Sequence, residues 1–249
     1  MKKNILAAFN QSTIPTISCA NLAKTPLGTD LKKLVAALQI YADRHFTPVW
    51  GTPCRLVISP DGKIPKDHWG FLFLDDADAA DALGYHDLTR AGMPLSKVFV
   101  RTTLSNGEKV SVTAAHELAE MLVDPGIQLG ALDPKGVWYA YETADAVERE
   151  VFDVEGIAMS NFVYPSWFEA FHKPGTVKFD HLGSCKKPFE IRPGGYMPVF
   201  KDGKWTQIFG SKAMAKGFRP SDHPRISRRS ASDGTRPAKK KMSAAGTGC

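Results

Sequence analysis

The stretch that decides the fold of this chain is Val110-Ser-Val-Thr-Ala-Ala-His116-Glu117-Leu-Ala-Glu120-Met-Leu-Val-Asp124-Pro125. The spacing of its apolar residues predicts one amphipathic helix that ends before Pro125. Residues four positions apart lie one turn apart on the same helix face. The side chains of His116 and Glu120 could therefore bind one metal ion between them, with Glu117 beside it.

The polar stripe of this helix has two interpretations. A helix turns by about 100° per residue, which places His116, Glu117, Glu120 and Asp124 within one arc of its surface. These residues could form a metal site, or they could be the solvent-exposed face of a surface helix. The helix contains no Lys or Arg, however, whereas exposed helices usually mix both signs of charge. Buried-looking strands also precede it, which indicates central packing. These two features favour a metal site.

A third metal ligand is expected downstream of the helix. Glu142, Asp145 and Glu148 recur at three-residue spacing and would share one face of a helix. We predict Glu142, because it leads this segment, while a plain acidic helix face would carry the same pattern. Asp145 is the first alternative, and the remaining candidates are Asp124, His172 and His181. A site with two carboxylates and one imidazole suits Zn²⁺, and its oxygen donors also make Mn²⁺ or Mg²⁺ possible.

The spacing from His116-Glu117 to Glu142 resembles the gluzincin branch of the zincin metallopeptidases, which includes thermolysin. The resemblance implies a small mixed sheet before an active-site helix, with zinc bound by His116, Glu120 and Glu142. It implies that Glu117 is the catalytic general base. This chain differs from zincins at Glu120, where they have a histidine, and the extra carboxylate would make the ion a weaker Lewis acid.

Three further segments resemble uncharacterised bacterial and bacteriophage proteins, namely 82–86, 116–125 and 160–168. That resemblance implies a shared domain over roughly residues 70 to 170. In zincins the strand before the active helix often pairs with extended substrate. Gly84-Tyr85-His86 or Lys97–Arg101 would take that position here.

Other elements follow from local patterns. A helix is predicted from Thr29 or Asp30 to about His45, where Thr47-Pro48 ends it. Asp202-Gly203 predicts a hairpin turn between two strands. The predicted strands are Asn4–Phe9, Arg55–Ser59, Trp69–Leu74, Lys97–Arg101, Ile157–Tyr164, Tyr196–Phe200 and Lys204–Phe209, with a short edge strand near Gly84.

Charge separates the chain into a body and a tail. Residues 211–249 contain ten Lys and Arg against two Asp, a net charge of +8, whereas the whole chain carries +6, so residues 1–210 carry −2. The tail is rich in Ser, Pro, Gly and Ala and is predicted to be disordered. It could bind nucleic acid or an acidic protein surface by counterion release.

Composition narrows the class of protein. Four scattered cysteines argue against a disulfide framework or a cysteine zinc site and favour the cytoplasm. No apolar run approaches the roughly 18 residues that cross a bilayer, so no membrane partner is expected. Phosphate-loop, dinucleotide-binding and Gly-x-Ser-x-Gly motifs are absent from the sequence.

These observations predict an α/β protein of the α+β class. Residues 1–210 would form one zincin-like domain, with a substrate-side helix, an active-site helix and a β-hairpin extension at 196–209. The predicted function is metal-dependent hydrolysis of a peptide or protein substrate. The alternative is a non-enzymatic structural or phage virion protein with a degenerate metal site, whose basic tail, 211–249, contacts nucleic acid or neighbouring subunits.

Overall fold

The computed structural model of the protein describes residues 14–78 and 82–210. The predicted strand Asn4–Phe9 and the predicted basic tail lie outside the described residues. The described part combines three sheets with short helices and one long helix, which confirms the α+β class.

Five strands form the main sheet. They are β1 (Thr16–Asn21), β2 (Arg55–Ile58), β3 (Trp69–Leu74), β4 (Gly84–Leu88) and β5 (Pro94–Phe99), arranged in the order β2-β1-β3-β5-β4. Neighbouring strands run parallel except β4, which is antiparallel to β5 at one edge. The sheet is therefore small and mixed, as predicted.

Two strands differ from the prediction. β1 was not predicted, because its small residues Ser18, Cys19 and Ala20 are buried on both faces and give no alternating pattern. β5 ends at Phe99 rather than at Arg101. The chain turns there because the Arg101 backbone N–H donates to Asp75 O at 2.9 Å, and its guanidinium donates to the Asp76 carboxylate at 2.7 Å.

The first helix is longer than predicted. α1 (Leu31–Ile40) begins at Asp30, whose carboxylate accepts the backbone N–H groups of the first turn. It continues through a π-helical segment (Tyr41–Phe46) into α2 (Thr47–Trp50), which Gly51 ends with φ 69°. The prediction that Thr47-Pro48 stops the helix is wrong, because Pro48 lies in the first turn of α2, where a missing N–H costs little.

The central element is the predicted metal-binding helix. After α3 (Val100–Ser105), α4 spans Val110–Val123 and packs against β4, β5 and the strand β9 (Ile157–Ser160). Every residue of α4 is buried. This confirms the predicted helix and its central packing.

The C-terminal half forms a second, antiparallel sheet in the order β11-β10-β7-β6. Its strands are β6 (Gly130–Leu132), β7 (Trp138–Ala140), β10 (Tyr196–Lys201) and β11 (Lys204–Phe209), while β8 (Val151–Val154) pairs with β9 in a separate hairpin. The predicted hairpin is confirmed, with positive φ at Asp202 and Gly203. It is part of this sheet rather than an appendage, because β10 also pairs with β7. The strand predicted over Ile157–Tyr164 ends at Ser160.

Candidate metal centre

The polar stripe of α4 does not face water. His116 is 4% exposed, and Glu117 and Glu120 are 0% exposed. Transfer of a carboxylate from water to a protein interior costs several kcal/mol unless cations or hydrogen bonds compensate it. The solvated-face interpretation is therefore wrong.

One group of candidate ligands surrounds the Nε2 atom of His116. Glu120 Oε1 lies 3.0 Å from this nitrogen and Asp145 Oδ1 lies 3.1 Å from it. Helical spacing brings Glu120 there, whereas Asp145 arrives from a short 3₁₀ turn (Asp145–Val147) that follows β7. A single ring nitrogen carries at most one proton, so two carboxylate oxygens at this distance suit a shared cation.

The other ring nitrogen of His116 has a different environment. Glu148 Oε2 lies 3.3 Å from His116 Nδ1. Histidines that bind metals usually donate their second ring N–H to a carboxylate, which sets the tautomer and the ring orientation. Glu148 is therefore positioned to orient His116 rather than to act as a ligand beside Nε2.

A second group of candidate ligands surrounds His86 on the edge strand β4. Its Nδ1 atom lies 3.7 Å from Glu120 Oε2 and 3.9 Å from Glu142 Oε2. Glu117 Oε2 is 4.0 Å away from the same nitrogen. His86 is 1% exposed and Glu142 is 4% exposed. The antiparallel edge strand thus adds a buried imidazole to the carboxylates of α4.

The predicted ligands divide between these two groups. His116 and Glu120 are brought together as predicted, and Asp145, the first alternative third ligand, joins them. Glu142, the predicted third ligand, also reaches Glu120, but on the side of His86. The sequence prediction that Glu142, Asp145 and Glu148 share a helix face is wrong, because only the short 3₁₀ turn is helical there.

The remaining candidates lie elsewhere. The Asp124 carboxylate accepts the backbone N–H groups of Gln128 and Leu129 at 2.9 and 3.0 Å, and so closes the loop after α4. His172 pairs with Glu169 at 2.7 Å. His181 contacts His45, with 3.1 Å between ring nitrogens, and burial lowers its pKa to about 4.

Close packing of β4 on α4 determines the position of Glu117. A Cβ atom at Gly84 would lie 2.8 Å from both Glu117 Cγ and Glu117 Oε1, and 2.9 Å from Lys97 O. Only glycine lets the strand come this near. The Glu117 side chain is consequently held under β4, next to His86.

His86 was predicted in a strand that could pair with substrate, but the sequence analysis missed it as a candidate metal ligand. A histidine in an edge strand has no helical partner at a diagnostic spacing, so no local pattern indicated it. The only available signal was a histidine in a short strand just before the metal-binding helix. Its pairing opposite Ser96 of β5 is a tertiary feature that brings it over α4.

A small cleft, partly open to solvent, lies at one side of this centre. It is lined by Leu83, Glu108, Val112, Thr113, His116 and Glu148. His116 is the candidate ligand that reaches the cleft.

Comparison with known protein families, with curated proteins and with solved structures gave no match. The resemblance to zincins and to phage proteins thus stays a prediction from the motif. Among the described residues, no helix combines the length and the apolar character that crossing a membrane requires.

Proposed function

We propose that the protein is a metal-dependent hydrolase, with peptide bonds as its substrate class. The observation that carries the proposal is the convergence of Glu120 and Asp145 on His116 Nε2 at the end of a cleft. One imidazole and two carboxylates form a donor set that fits a first-row divalent cation. The small mixed sheet before α4 supports the zincin-like interpretation.

In this proposal His116, Glu120 and Asp145 hold the ion. A divalent cation in this position would act as a Lewis acid toward a carbonyl group and would favour ionisation of water. Glu148, whose Oε2 atom lies 3.3 Å from His116 Nδ1, would help to keep Nε2 directed at the ion.

Glu117 is the proposed general base. Its carboxylate belongs to the same buried cluster, and its neighbour His86 lies 4.0 Å from its Oε2 atom. In a water-poor environment a carboxylate accepts a proton more readily than in bulk water, which suits this role. The packing of β4 against the side chain limits its rotation.

The test is Glu117→Gln, which keeps the shape of the side chain and removes its basicity. We expect turnover of a fluorogenic peptide library by the zinc-loaded protein to fall by at least about 10²-fold, with the zinc content unchanged. The matched control is Glu169→Gln, which alters a surface carboxylate paired with His172. Equal activity of the two variants would exclude Glu117 as the base.

The metal site has a separate test. His116→Ala should lower the zinc content, because it removes the imidazole on which two carboxylates converge. Retention of the full zinc content by this variant would contradict the proposed site. The alternative of a nucleic-acid contact through residues 211–249 stays a prediction, because that segment lies outside the described residues.

A further inference from the structure

The carboxylate of Glu120 faces two histidines with its two oxygens. Oε1 lies 3.0 Å from His116 Nε2, while Oε2 lies 3.7 Å from His86 Nδ1. Each histidine also faces a carboxylate of its own, Asp145 for His116 and Glu142 for His86. The cluster therefore contains two complete donor sets that share one residue.

We propose that the protein binds two divalent metal ions bridged by Glu120, an outer ion held by His116 and Asp145 and an inner ion held by His86 and Glu142. The inference rests on the His116 metal site proposed above, but it does not depend on hydrolysis. It adds a second metal site and assigns His86 as a ligand.

The distances fit this arrangement. Two ligands that each lie about 2.1 Å from an ion are at most about 4.2 Å apart. The separations from His116 Nε2 are 3.0 and 3.1 Å, and those from His86 Nδ1 are 3.7 and 3.9 Å. In both groups all the candidate ligand atoms lie within 4.8 Å of one another. Small side-chain adjustments would close either group around an ion.

The charge of the cluster supports two ions rather than one. Five carboxylates meet here, those of Glu117, Glu120, Glu142, Asp145 and Glu148. Four of them are less than 5% exposed. Two divalent ions bring four positive charges to these five carboxylates, whereas one ion brings two, and the difference matters in a region of low dielectric constant. The two oxygens of one carboxylate can bind two ions at the roughly 3.5–4 Å separation found in two-metal sites.

The two sites differ in access. His116 lines the open cleft, whereas the His86 group lies beneath β4, with Glu117 fully buried beside it. The outer ion can therefore keep an open coordination position for a substrate. The inner ion is enclosed, and it would neutralise Glu120 and Glu142 and hold them in place.

The experiment is a metal titration of the full-length protein. The protein is stripped with a chelator and titrated with Zn²⁺ alone, and bound zinc is measured by elemental analysis after gel filtration. A parallel titration with Mn²⁺ is followed by electron paramagnetic resonance, because two ions that share a carboxylate couple magnetically and lose the hyperfine pattern of an isolated ion. The variants are His86→Ala, Glu142→Gln and His116→Ala. The control is His172→Ala, which changes a histidine outside the cluster.

We expect about two equivalents of zinc in the wild type and in His172→Ala, and about one in each of the three other variants. A single equivalent in the wild type that is retained in His86→Ala and lost in His116→Ala overturns the inner site and leaves the proposed hydrolase site intact. A wild type without bound metal overturns both proposals. If the variants fail to fold, the zinc stoichiometry and the manganese spectrum of the wild type still test the bridge. One bound ion with the hyperfine pattern of an isolated Mn²⁺ would contradict it.

Discussion

Gly84 lies where the edge strand β4 crosses Glu117, and a single added methyl group tests the geometry of the centre. In Gly84→Ala the new Cβ atom would lie 2.8 Å from both Glu117 Cγ and Glu117 Oε1. It would also lie 2.9 Å from the backbone oxygen of Lys97, which belongs to the paired strand β5. The glutamate can move, but the backbone of β5 has little freedom, because β5 is paired on both sides, with β3 and with β4. Overpacking of this kind costs about 1–3 kcal/mol.

The prediction has two measurable parts. Urea unfolding of Gly84→Ala should give a free energy of unfolding lower by about 1–3 kcal/mol, with an unchanged m-value. Displacement of Glu117 should also lower peptide turnover, because the proposed general base would leave its position beside His86. The two effects together distinguish a disturbed centre from a general loss of stability.

Gly92→Ala is the matched control for this substitution. Gly92 lies in the turn between β4 and β5, with φ 80° and nothing within 4 Å of an added Cβ. Its substitution costs about 1–2 kcal/mol of backbone strain without touching the centre. The reasoning is refuted if Gly84→Ala unfolds like the wild type, or if the two variants have equal turnover at equal stability.

Two further predictions concern residues outside the metal ligands. Asp124→Ala should lower the free energy of unfolding by about 1–3 kcal/mol, because the Asp124 carboxylate accepts two backbone N–H groups. The zinc content of this variant should be unchanged. A loss of zinc would instead identify Asp124 as a metal ligand. Burial lowers the pKa of His181 to about 4, and the charge of His45 contributes to this shift. As the pH falls below about 6.5, His181 is therefore protonated in the unfolded chain before it is protonated in the folded protein. Stability should therefore decrease from about pH 6.5 to about pH 4, by roughly 1–2 kcal/mol for a half-buried ring. Urea unfolding of His181→Gln should show a flatter pH dependence, and an identical one would contradict this assignment.

Local sequence patterns were sufficient where one element defines its own environment. The bounds of α4 follow from its apolar spacing and from Pro125, and the pairing of His116 with Glu120 follows from helix geometry. The hairpin of β10 and β11 follows from Asp202-Gly203, because this pair of residues tolerates the positive φ angles of the turn. The first helix was harder to delimit, since Pro48 is compatible both with the end of one helix and with the start of another.

The sequence by itself determined the long helix and the pairing of its two candidate ligands, His116 and Glu120, at a four-residue spacing. Only the tertiary structure decided that the polar stripe is buried, that Asp145 rather than Glu142 lies beside His116, and that His86 joins the centre from β4. Helical spacing is a local property of consecutive residues. The other contacts join residues far apart in the chain, and they depend on strand order and on how closely Gly84 lets β4 approach α4.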